Sequence, residues 1–114
     1  MRHEIKKVCR IVDELTTLLL SKDTNEVDFK IVTQPDRSII NIVDYNTRFE
    51  DAYIDHLRLT LNRQRQTEIE EYYWQLTGET DSDDEITLVG AMIDTATIEK
   101  RDGNLYIQLI RLVI

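Results

Sequence analysis

Alternation of apolar and polar residues between Val27 and Asp44 is the feature that most constrains the fold of this chain. Val27 and Phe29 begin an alternating run, and a second apolar run starts at Ile39 and ends at Asp44. Pro35 lies between the two runs, at the early position of a β-turn that proline favours. A period of two residues interrupted by a turn predicts an antiparallel hairpin over these residues.

A second hairpin is predicted near the C-terminus. Ala96 and Ile98 alternate with polar residues, and apolar residues recur again through 105–114. Asp102 and Gly103 separate the two runs, and Asp-Gly is a preferred pair for the two-residue turn of a β-hairpin.

Apolar residues at helical spacing predict four helices in the remaining segments. Their ranges are 3–21, 47–63, 67–78 and 82–94. Each of the last three opens with Thr or Ser followed three residues later by Glu, which is the capping-box pattern. Residues 79–85 are acidic and are predicted to form a loop before the fourth helix. Cys9, at the flank of the first apolar stripe, is predicted to be a small core residue.

These elements predict one domain, 1–114, of the α+β class. A chain of 114 residues with a hydrophobic fraction of 41% can build one two-layer core. The two hairpins are expected to join into a four-stranded, mainly antiparallel sheet. The helices would cover one face of that sheet, which gives a two-layer α/β sandwich.

Charge and composition narrow the classes of partner. The chain carries 22 acidic and 14 basic residues, a net charge of −8, which disfavours nucleic acid and anionic membrane surfaces. Cys9 is the single cysteine, and the N-terminus lacks a long apolar run, so we expect a cytoplasmic protein. The apolar run 109–114 puts apolar side chains on both faces of the last strand. Because helices cover only one face, we expect a protein partner or a homodimer.

The order of elements resembles that of the histidine-kinase-like (GHKL) ATPase family, which includes sensor-kinase catalytic domains and anti-sigma serine kinases. The resemblance lies in segments 12–15, 42–44 and 86–91, and in the last helix and hairpin. Glu14 matches the acid of the family's helix motif, and Asp44 matches the aspartate that opens its Asp-x-Gly-x-Gly box. Gly90 matches its Gly-rich box.

The resemblance implies a nucleotide site at Asp44, Asn46, Arg48 and Gly90, with Asp44 contacting adenine. Leu18, however, occupies the position of the asparagine that holds magnesium, and Mg²⁺ requires oxygen ligands. Asn46 and Arg48 fill positions where glycine lets the backbone approach the nucleotide. We therefore predict a non-catalytic regulatory or protein-binding module, similar to anti-sigma factors, with no cofactor and no metal.

Two other functions remain open at this point. The chain could be an active serine kinase or ATPase that binds ATP and Mg²⁺, with Glu14 as the general base, or a structural oligomer with no ligand. Each candidate residue also has a plain structural interpretation. Glu14 lies at the edge of the first apolar stripe, where solvated acids are common, and Asp44 ends a strand, where a turn-favouring acid is ordinary.

Overall fold

The chain folds as an α+β protein with helices packed on an antiparallel sheet. The computed structural model describes residues 3–63, 65–68, 70 and 82–113, with the backbone alone for 82–85. The elements in chain order are α1 (Glu4–Ser21), β1 (Val27–Gln34), β2 (Arg37–Asp44), α2 (Asp51–Leu61), α3 (Ser82–Gly90), β3 (Thr95–Arg101) and β4 (Asn104–Leu112).

Both predicted hairpins are confirmed, and they join into one four-stranded sheet of order β1-β2-β4-β3. All three pairings are antiparallel, and the central pairing of β2 with β4 places Ile40 opposite Leu109. Asp102 and Gly103 have positive φ angles of 53° and 82°. Left-handed residues at both central positions define the type I′ turn that matches the twist of the flanking strands.

One face of the sheet carries the core. Along β2, Ser38, Ile40, Ile42 and Asp44 are buried, and the residues between them are half-exposed. α1 packs on β2, α2 packs on β3, and α3 lies against α1 and α2. The core includes Ile11, Leu15, Leu18, Ile40, Ile42, Ile54, Leu57, Val89, Ile98, Leu105, Ile107 and Leu109. The predicted arrangement of helices on one face is therefore confirmed.

The capping box predicted at Thr47 is wrong, because α2 begins at Asp51. The Thr47 amide donates to the Gly103 carbonyl at 2.9 Å, which ties this residue to the β3–β4 turn rather than to a helix. Its hydroxyl accepts from the Phe49 amide at 3.2 Å. Glu50 precedes the helix in an extended conformation and makes no side-chain capping bond.

The later helices also differ from the prediction. α3 begins at Ser82, as the predicted range 82–94 does, so residues 82–85 are helical rather than part of the acidic loop; it ends at Gly90 rather than near Asp94. Gly90 is the point where α3 meets α2, since a Cβ atom there would overlap the backbone carbonyl of Thr60. Residues 67, 68 and 70 are helical, while 69 and 71–81 of the predicted third helix and loop lie outside the described residues.

The exposed position of Cys9 corrects the prediction that it is a core residue. The buried stripe of α1 runs through Val8, Ile11 and Leu15. Cys9 follows Val8 by one residue, which rotates it by about 100° away from that stripe. Ile5 is 81% exposed for the same reason. Glu4 lies on the buried side of α1, and Ile5, one residue later, is rotated by about 100° away from it.

A buried carboxylate at Glu70 gathers three basic side chains. It lies 2.8 Å from Lys7 Nζ, 2.7 Å from Arg111 Nη1 and 3.1 Å from Arg65 Nε. Lys7, Glu70 and Arg111 are each at most 3% exposed. Glu70 was predicted to cap a helix at Thr67, but its carboxylate instead binds these cations.

Two further acids complete what we call the Glu70 cluster: Glu4, Lys7, Arg65, Glu70, Asp94 and Arg111. Arg111 pairs with Glu4 at 2.7 Å, and Arg65 pairs with Asp94 at 2.9 Å. Arg111 also donates to the Met92 carbonyl and Arg65 to the Leu112 carbonyl. The cluster contains three acids and three bases, and it joins the start of α1, Arg65 and Glu70, the segment after α3 and the end of β4.

We expect Glu70→Gln to destabilise the fold by roughly 3 kcal/mol or more at neutral pH, because two buried cations lose their shared counterion. Burial by itself raises the pKa of Glu70, but hydrogen bonds from Arg111 and Lys7 outweigh it and lower this pKa from 4.5 to about 2. The carboxylate therefore stabilises the fold above about pH 4.5, and this contribution is lost as the pH falls towards 2.

Denaturant unfolding across this pH range measures the effect, with Glu68→Gln as the matched control. Glu68 is exposed and belongs to the same helical stretch, so its replacement should change the unfolding free energy by no more than about 0.5 kcal/mol. Equal stability of Glu70→Gln and the wild type at pH 7 would show that the cluster contributes nothing.

Candidate functional site

Asp44 is the most unusual of the residues predicted to bind nucleotide. It ends β2 on the core-facing side and is completely buried, with 0% exposure. Neither carboxylate oxygen has a hydrogen-bond partner among the described residues. Burial of a carboxyl group without such partners costs free energy, so we expect an apolar residue at position 44 to give a more stable fold than Asp44.

Asn46 and Arg48 follow Asp44 in the loop that leads to α2. Asn46 has a left-handed backbone, with φ 53°, and its amide donates to the Asn104 side chain at 2.9 Å. Arg48 is exposed and lines a surface cavity of about 340 Å³. The described residues that border this cavity with Arg48 are Lys22, Phe49, Glu50 and Tyr53.

The cavity beside Arg48 combines positive charge with aromatic rings. The rings of Phe49 and Tyr53 stack with centroids 5.3 Å apart, and Lys22 Nζ lies 4.8 Å from the centroid of Tyr53. Lys22 was not among the predicted site residues. No sequence signal connects it to Arg48, since the two meet only because the end of α1 lies beside the start of α2.

The remaining predicted residues lie elsewhere in the fold. Gly90 is at the crossing of α2 and α3, where close packing accounts for the glycine. Glu14 lies on the buried side of α1 at 3% exposure, so its interpretation as a solvated acid is wrong. Of the predicted set, only Arg48 is among the described residues that border the cavity with Lys22 and Tyr53.

The outer edge of β3 is closed by side chains from α2. Asn62 accepts from the Ala96 amide at 3.0 Å and donates to the Ala96 carbonyl at 2.9 Å. Arg58 Nε donates to the Ile98 carbonyl at 2.9 Å. These are the backbone groups of β3 that point away from β4, so another strand cannot pair there without displacing Asn62 and Arg58.

The outer edge of β1 has no such cover from the residues that the structure describes. The Tyr45 amide donates to the Glu26 carbonyl at 3.0 Å, which places the even-numbered residues of β1 in the hydrogen-bonded pairs with β2. The backbone groups of Val27, Phe29, Ile31 and Thr33 therefore point outward. Within the part of the chain that the structure describes, none of these outward groups is hydrogen-bonded.

The side chains of these outward residues lie on the helix side of the sheet. Val27 and Phe29 pack partly buried against the core, and Ile31 is 47% exposed. No helix among the described residues packs on the opposite face of the sheet. The half-buried apolar residues of that face are Val32, Ile39, Val43, Ile110 and Leu112. The outer edge of β1, with its free backbone groups and exposed Ile31, is the surface we call the β1 edge.

The described residues also show what this chain offers for metal binding and for crossing a membrane. No three or more side chains of His, Cys, Asp and Glu gather there in a way that could hold a metal ion. No helix in the same residues combines the length and apolar character needed to cross a membrane.

Comparisons of the chain with protein-family models, with curated proteins and with solved structures found no match. The resemblance to the GHKL ATPases therefore depends on the residues of the sequence itself.

We predict that Asp44→Val stabilises the protein by about 1–3 kcal/mol, because it replaces a buried carboxyl that lacks hydrogen bonds with an apolar, strand-favouring side chain. Asp44→Asn keeps a buried polar group and should give little or none of this gain. Thermal and denaturant unfolding measure both variants. A large loss of stability in Asp44→Val would mean that the carboxyl group makes a favourable contact in the folded state.

Proposed function

We propose that this protein is a non-catalytic, cytoplasmic regulatory module that binds a partner protein by taking a strand onto the β1 edge. The observation that carries this proposal is the contrast between the two edges of one sheet. Asn62 and Arg58 occupy the backbone groups of β3, whereas no described residue occupies those of β1. Natural sheets usually protect both edges, because an open edge accepts strands from other chains.

The chemistry of the β1 edge suits strand addition. Main-chain hydrogen bonds to Phe29 and Ile31 would supply affinity, and an apolar side chain beside the exposed Ile31 would supply specificity. This mode of action also agrees with the resemblance to anti-sigma proteins, which act through protein contacts.

A second candidate is binding of an adenine nucleotide, and the observation that favours it is Asp44. Its carboxylate oxygens accept no hydrogen bond from the described residues, so they could accept one from an amino group of a ligand. Arg48 and Lys22, which border the same surface cavity, could contact an anionic group of the ligand. The full burial of Asp44 argues against this function, because a ligand would reach it only after the surrounding side chains move.

We expect Ile31→Lys to abolish capture of the partner, because it places a charge on the apolar side of the β1 edge. Leu59→Lys is the matched control, since Leu59 is 73% exposed on α2 and away from this edge. Affinity capture from the native cells, quantified by mass spectrometry, should show at least about a tenfold loss for Ile31→Lys alone. Both variants must keep the wild-type unfolding temperature. Equal capture by Ile31→Lys and wild type would exclude the β1 edge as the binding surface.

We expect Mg-ATP at millimolar concentration to leave the unfolding temperature unchanged, because Leu18, Asn46 and Arg48 do not supply the metal ligand and close approach that the nucleotide needs. A ligand present at 100 times its Kd would stabilise the fold by about 2.7 kcal/mol, so scanning calorimetry detects real binding. A rise in the unfolding temperature that disappears in Asp44→Asn would favour the kinase or ATPase function instead.

A further inference from the structure

We propose that a second copy of this chain occupies the β1 edge, with the two β1 strands antiparallel about a two-fold axis at Phe29. This inference rests on the proposed function, because it identifies the strand that the open edge accepts. It is drawn from three features of β1: the direction of its backbone groups, its pattern of charges and its exposed apolar residues.

The backbone geometry leaves few symmetric pairings. The odd-numbered residues of β1 point their amide and carbonyl groups outward, so they must lie opposite one another across the new interface. Two-fold axes at residues 29 to 32 satisfy this condition with five or more residues of each β1 strand paired.

Charge distinguishes these registers. With the axis at Phe29, Asp28 lies opposite Lys30 of the partner subunit, and symmetry repeats this pair. With the axis at Lys30, the two Lys30 side chains meet, and like charges opposite each other are destabilising. With the axis at Ile31 or Val32, Gln34 lies opposite Asp28 or Lys30 respectively, so neither Asp28 nor Lys30 meets an opposite charge.

A hydrogen bond within the single chain already orients the Asp28 carboxylate for the contact with Lys30 of the partner subunit. The Tyr45 hydroxyl donates to Asp28 Oδ2 at 2.6 Å, which restricts the side chain to the open face of the sheet. Asp28 Oδ1 has no hydrogen bond within the described part of the chain, and it can accept one from Lys30 of the partner subunit.

The same register pairs apolar side chains on the helix side. Phe29 lies opposite Phe29 of the partner subunit, and Ile31 lies opposite the partner's Val27. Cross-strand apolar and aromatic pairs of this kind stabilise sheets. The pairing covers the 47% of Ile31 that is exposed in the single chain, together with the incompletely buried Val27 and Phe29.

The closed edge of β3 then limits the assembly to two copies. Joining two four-stranded sheets through β1 leaves a β3 strand at each end. Both ends are occupied by Asn62 and Arg58, so no further copy adds. Such an interface is isologous and closed, unlike an open edge at both ends, which would permit fibres.

Sedimentation equilibrium from micromolar to millimolar concentration tests the dimer. The wild type should be a dimer, and Lys30→Glu should weaken it at least about tenfold, because it sets acids opposite each other. The charge exchange Asp28→Lys/Lys30→Glu should restore dimerisation. Lys100→Glu, on the closed β3 strand, is the matched control and should dimerise like the wild type.

Disulfide trapping tests the register independently. In a Cys9→Ser background, D28C/K30C should form a covalent dimer, because directly opposite residues in a non-hydrogen-bonded pair lie within disulfide distance. D28C or K30C alone should not. Cross-linking of K30C alone indicates an axis at Lys30, and cross-linking of D28C/Q34C indicates an axis at Ile31; either result overturns the proposed register.

The two proposals can fail separately. A wild type that remains monomeric at millimolar concentration and gives no covalent dimer with D28C/K30C overturns the homodimer. Capture of another protein by the wild type and Leu59→Lys, but not by Ile31→Lys, would then still uphold the proposed function. Lys30→Glu could weaken the dimer without the charge exchange restoring it. In that case the cross-links decide the register: a covalent D28C/K30C dimer upholds it, and its absence rejects it.

Discussion

The pairing of β2 with β4 is the contact on which the rest of the structure depends. It joins two hairpins that are each local in sequence, and a lone hairpin is at best marginally stable. Once Ile40 lies opposite Leu109, the core-facing residues of both hairpins form one apolar surface, and α1 and α2 each cover part of it. The helices are short amphipathic elements whose stability comes mainly from this packing.

The buried acidic side chains of this protein have two different kinds of environment. In the Glu70 cluster, every buried ionic group has a partner of opposite sign, so Glu70 and Arg111 remain charged at little exposure. Asp44 at the other end of β2 is equally buried and has no hydrogen bond from the described residues. The first arrangement is typical of a structural element, whereas burial of a carboxyl group without a hydrogen bond is expected to lower stability.

The edges of the sheet link the fold to the proposed function. Arg58 and Asn62 serve the backbone of β3 from the side of α2, which removes that edge from strand pairing. No described residue serves β1 in this way, and Ile31 stays exposed beside the open backbone groups. The sheet therefore has one edge covered by α2 and one edge that no described residue covers, and the proposed single, closed contact requires such a difference between the edges.

The sequence by itself determined the local elements, because periodicity and turn chemistry act over a few residues. Alternation of apolar and polar residues on either side of Pro35 and of Asp102 predicted both hairpins. A stripe of apolar residues at helical spacing predicted α1. Tertiary structure decided what depends on distant partners. The β3–β4 turn holds Thr47 out of the helix that its capping box predicted, and distant cations draw Glu70 away from its predicted capping role. The open β1 edge was equally beyond sequence patterns, because covering an edge depends on where α2 lies in space.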